Sequence, residues 1–102
     1  GLFDERSGIL FTGDIGAAVF DESNETAFVE NFDNHIPLIK DFHARYMAAN
    51  RIVRRWAEQI RRLNPRMLAP QHGAIYKDEN VHKFLNWLSE LQCGIDLIDN
   101  LF

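Results

Sequence analysis

Two short apolar runs, Ile9–Phe11 and Met67–Ala69, each break straight into a glycine-marked turn, and this pairing constrains the fold more than any other feature. A run of three apolar residues is too short for a helix and suits a strand. The first run leads into Thr12-Gly13-Asp14-Ile15-Gly16, and the second into Pro70-Gln71-His72-Gly73. Ile9–Phe11 is continuously apolar, which predicts a strand covered on both faces.

Leu2-Phe3 before Asp4-Glu5-Arg6-Ser7-Gly8 reads as the other arm of a hairpin, its turn made of acidic, small and glycine residues. Such an apolar strand at the first residues predicts a chain truncated at its N-terminus. Residues 21–32 read as an acidic surface loop with Phe28 and Val29 as its apolar points. Asn34 is expected to cap a helix to about Ala49, with Pro37 in its first turn and Ile36, Ile39, His43 and Tyr46 along one side.

In the next helix Ile52, Val53, Trp56, Ile60 and Leu63 recur near the 3.6-residue period, and Asn64-Pro65 stops it. A last helix is expected over Glu79–Gln92, burying Val81, Phe84, Leu85, Leu88 and Leu91 and stopped by Gly94. Ile95–Phe102 is an apolar tail that needs a docking surface. Strand, strand, helix, helix, strand, helix is an α/β order: a short mixed sheet with about three helices on one face, the other left bare.

Length and composition bound the function. The 102 residues make one small domain, and 46% apolar content with 25% charge is ordinary for a globular chain. No apolar run is long enough to cross a membrane, and residues 1–11 carry charges where a signal peptide would be apolar. Cys93 stands alone, which excludes an internal disulfide and fits a reducing cytoplasm; a small buried residue is expected there. The net charge of −4 argues against a nucleic-acid partner. The arginines around Trp56 read as a solvated helix face with local partners such as Glu58.

Asp14 and His72 are the candidates for chemistry. Each follows a strand, and ligands gather beyond the carboxyl ends of strands in sheets flanked by helices. A carboxylate can bridge two ions, and a neutral imidazole binds zinc or iron. The plainer reading stands beside this: Gly-Asp after a strand is more often a turn cap, and His-Gly turns occur without metals. His43 and Tyr46 could stand behind the ligands, although packing against a further part of the domain is the simpler role. His35 and His82, at or near helix starts, read as surface residues.

The run Ser7–Ala18 resembles the "GILFSGD" segment of flavodiiron-like proteins of the metallo-β-lactamase fold, and Met67–Ile75 resembles their "PxHG" signature. His43–Asn50 and Cys93–Leu97 are most similar to the oxygen-binding diiron branch. The resemblance covers the whole chain. It implies a single partial domain over 1–102, the C-terminal half of an αββα metallo-β-lactamase sandwich. It further implies that Asp14 bridges two metal ions and that His72 binds one, the other ligands lying in an H-x-[HE]-x-D-H loop and a further histidine absent here.

Two ligands cannot hold a dinuclear centre against water, so the isolated chain is expected to be inactive. The parent is then expected to hold two iron ions and to bind or reduce dioxygen. A dinuclear zinc hydrolase acting on an ester, thioester or phosphoester is the alternative. The bare sheet face predicts pairing with the missing N-terminal half or self-association, with neither nucleic acid nor membrane as partner.

Overall fold

Strand β1 (Leu2–Asp4) turns back antiparallel onto β2 (Ile9–Gly13), with Phe3 opposite Leu10. Within this turn the Ser7 hydroxyl donates to Asp4 Oδ2 at 2.6 Å and the Gly8 amide to the Asp4 carbonyl at 2.9 Å. The structure is a computed structural model that describes residues 2–18, 20, 26–47, 49–94 and 96–97, the Tyr46 side chain excepted. Of the expected surface loop, residues 21–25 lie outside the described residues. So does the apolar tail, apart from Asp96 and Leu97.

Two helices follow, α1 (Phe32–Tyr46) and α2 (Asn50–Leu63), and the chain then returns as β3 (Met67–Pro70) parallel to β2. A two-residue strand, β4 (Tyr76–Lys77), pairs antiparallel with β3 before α3 (Glu79–Glu90). The sheet order is β1-β2-β3-β4, mixed as expected, with one strand more than the sequence suggests. Two residues carry no readable periodicity, and pairing with β3 alone makes β4 a strand.

The core lies between one sheet face and the helices. Leu10 and Leu68 face inward beside Tyr76, and meet Ile39 of α1, Val53, Ala57 and Ile60 of α2, and Phe84, Leu85 and Leu88 of α3. The thinnest dimension, 19 Å, matches one sheet and one helix layer. The opposite face is open: Leu2 and Phe11, partners across β1 and β2, are 71% and 45% exposed. Ile9–Phe11 is therefore covered on one face among the described residues rather than on both.

Three helix ends differ from expectation for local reasons. Asn31, not Asn34, caps α1: its side chain accepts the Asn34 amide at 3.1 Å, which lets Phe32 enter the core at 4% exposure. Pro37 then lies inside the helix, where its missing donor would have faced the carbonyl of solvent-exposed Asp33. Helix α1 stops at Tyr46 because Met47 turns extended and Ala49 pairs with Gly94, whose amide donates to the Ala44 carbonyl at 2.8 Å. Gly94 is thus spent on α1. Helix α3 ends earlier than expected, at Glu90, with the carbonyls of Ser89 and Leu91 taken by the Asn50 amide group at 2.9 and 2.7 Å. Helix α2 ends as expected, at Asn64 in the left-handed region.

The arginine face of α2 is exposed as expected, but among the described residues its hydrogen bonds go to partners other than the expected Glu58. Arg61 donates to Asn86 and Arg54 to Asn50 and the Ser89 carbonyl. No described helix is long and apolar enough to cross a membrane.

Candidate metal centre

The parallel pairing of β2 with β3 sets Gly13 beside Pro70, so the turns carrying Asp14 and His72 leave the same edge of the sheet as neighbours. Two backbone hydrogen bonds join them: the Gln71 amide donates to the Gly13 carbonyl at 2.7 Å, and the Ala18 amide to the His72 carbonyl at 3.3 Å. The Asp14 turn is closed locally as well. Buried Thr12 donates its hydroxyl to the Ile15 carbonyl at 2.5 Å, and the Ile15 amide returns to the Thr12 carbonyl. Asp14 and His72 are both exposed at this edge, free of the core.

Glycine is required where these loops meet. Gly73 has φ +114, and a Cβ there would stand 2.7 Å from the Ala18 amide nitrogen. Gly16 has φ +92, and a Cβ there would stand 2.9 Å from the Tyr76 ring. A side chain at Gly73 would push the two loops apart, and one at Gly16 would push its loop off the Tyr76 ring.

The Gly16 backbone is held from the core side. Its amide donates to His43 Nε2 at 2.8 Å, and its carbonyl accepts from the Tyr76 hydroxyl at 2.9 Å, both contacts buried. Since Nε2 accepts, the proton of neutral His43 sits on Nδ1, which faces the Ile39 carbonyl at 2.7 Å. Burial holds the His43 imidazole below its ordinary pKa, opposed by that carbonyl. Burial likewise drives the Tyr76 hydroxyl far above its ordinary value, so it stays a donor.

His43 is fully enclosed by this chain's own core, so packing against a further part of the domain is not its role. The side chain of Tyr46 lies outside the described residues. His35, expected at the surface, is 5% exposed because capping by Asn31 turns it inward against Phe20 and Tyr76. His82 is exposed, and Cys93 is buried as expected, its thiol pushed up by burial and then by Asp96. Tyr76 is the residue that sequence reasoning passed over. Its burial and the partner of its hydroxyl, 60 positions away, carry no signal in the sequence.

A carboxylate and an imidazole on adjoining loops are the right donor types for a transition metal. Among the described residues no group of three or more His, Cys, Asp or Glu side chains gathers, so this edge offers two donors. A model of the "ODP family beta lactamase" matches residues 1–73, a span that holds both Asp14 and His72. The chain belongs to the ODP family of β-lactamase-like proteins.

Solved structures agree with ODP membership. A structure described as the peroxy diiron species of the chemotaxis sensor ODP is 68% identical, with a TM-score of 0.91, covering 98% of this chain and 42% of that one. The apo state of the chemotaxis sensor ODP from T. denticola is 69% identical, with a TM-score of 0.88, covering 98% and 41%. The chain therefore spans about two-fifths of the length of these ODP structures. A search of curated proteins found no match.

Proposed function

We propose that this chain is the C-terminal part of a non-haem diiron domain that binds dioxygen as a sensor, with Asp14 bridging the two metals and His72 a terminal ligand. The observation that carries this reading is the backbone stitching of the Asp14 and His72 turns at one sheet edge, within a chain 68% identical to a sensor described as diiron. The remaining ligands would come from the portion of the domain that its longer relatives contain. That portion is also the natural cover for the open sheet face bearing Leu2 and Phe11.

In this role Asp14 would hold the metals through its carboxylate and His72 through an imidazole nitrogen. When bound, iron would supply reversible electron donation to dioxygen. The small residues Gly16, Ala17 and Ala18 keep bulk away from that edge. Nothing in the comparisons favours the zinc hydrolase alternative.

The test is iron content and dioxygen response of the complete domain, beside Asp14→Ala and His72→Ala. About two irons per domain are expected, with each substitution lowering the iron retained by tenfold or more. Full iron retention in both variants would contradict the assignment.

A further inference from the structure

We propose that His43 and Tyr76 are positioning residues for the Asp14 ligand, acting through the Gly16 backbone; this rests on the metal reading above. Asp14 lies on a turn whose next residues belong to no strand or helix, and at Gly16 the chain passes through the left-handed region. A glycine backbone has little stiffness of its own, so its path is set by what grips it. Here both polar groups of one residue are gripped, the amide by His43 from α1 and the carbonyl by Tyr76 from β4.

Neither grip can slacken easily. Tyr76 is fully buried, its ring 4.5 Å from Phe84 and 5.4 Å from His35 between centroids. His43 is equally enclosed, edge-on to Phe84 and Trp87 at 5.9 and 5.7 Å. Nδ1 of the same ring is tied to the Ile39 carbonyl, which fixes the ring's rotation and so aims Nε2 at Gly16. The Tyr76 ring also fills the space beneath Gly16 that a Cβ would need. One helix and one strand thus converge on a single residue two positions beyond Asp14. Partners that orient ligands from behind typically govern metal affinity by about 10–100-fold.

The experiment is a titration of the complete domain with Co(II), whose visible spectrum reports ligand geometry, for Tyr76→Phe, His43→Phe and His43→Gln. Tyr76→Phe removes one hydroxyl and His43→Phe removes the acceptor while keeping a ring; each is expected to weaken Co(II) binding by about 10–100-fold and to alter the spectrum. Glutamine can still accept the Gly16 amide, so His43→Gln is expected to recover most of the affinity.

Circular dichroism separates loss of fold from loss of metal. Should His43→Phe fail to fold, Tyr76→Phe carries the test alone. Hydrogen exchange at the Gly16 amide then gives a second readout, expected to speed up at least tenfold in Tyr76→Phe. Folded Tyr76→Phe and His43→Phe proteins that bind Co(II) within twofold of the parent, with its spectrum, would overturn the positioning role. Asp14→Ala in the same series separates the two ideas: if it too binds normally, the metal reading itself fails.

Discussion

His43 and His35 both surrender water for the core, and that choice has a pH consequence. Burial lowers the pKa of each, with His43 adding a smaller repulsive contribution at His35. In the unfolded chain both return to the ordinary value of 6.5. Below that pH the unfolded chain takes up protons that the folded chain refuses, so stability is full above about pH 7 and drains as pH falls through 6.5 toward the lowered folded values. The slope is at most about 1.4 kcal/mol per pH unit for each imidazole. Urea unfolding between pH 8 and pH 5 should show this decline, and a double His35→Gln, His43→Gln variant should flatten it. A wild-type profile unchanged down to pH 5 would contradict the neutral buried state of both rings. At this scale the sequence was informative about Asp14 and His72, since flanking glycines and an exit from a strand mark a residue as displayed. It was silent on Tyr76, whose role comes from a partner 60 positions away.

At the scale of elements, polar side chains join α2 to α3, and Asn50 makes the most of these bonds. Asn50 opens α2, donates to the carbonyls of Ser89 and Leu91 at the end of α3, and gives its own amide to Asp96 Oδ2 at 2.6 Å. Asn50→Ala strips the partly buried Leu91 carbonyl of its donor and leaves Ser89 with Arg54 alone, and the expected loss is about 1–3 kcal/mol in urea unfolding. An unchanged midpoint would show that water replaces the amide at no cost. Helices were readable because their apolar period recurs over several turns, as in Val53 and Ile60, although Ile52 and Leu63 of the same expected stripe are exposed and Ala57 takes a buried place instead. Their ends were less so. Asn31 and Asn34 are equally good caps in isolation, and burial of Phe32 among Tyr76, Phe84 and Trp87 decides between them. Gly94 looks like a helix stop by composition, yet its amide serves α1.

The molecule as a whole is one sheet with helices on a single face, and the arrangement puts Asp14 and His72 at one end of the sheet and an apolar surface on the bare side. The α/β class and the one-sided layering follow from strand runs alternating with amphipathic segments. Which turns would lie side by side does not, because that depends on β2 and β3 pairing in parallel across more than fifty residues of intervening chain. The central claim is that Asp14 and His72 serve one metal centre. Anomalous diffraction at the iron edge, from crystals of the complete domain loaded with Fe(II), tests it most directly. The account predicts two iron peaks, with an Asp14 carboxylate oxygen within bonding distance of both and a His72 ring nitrogen bonded to one. Iron peaks bonded to neither residue would contradict it.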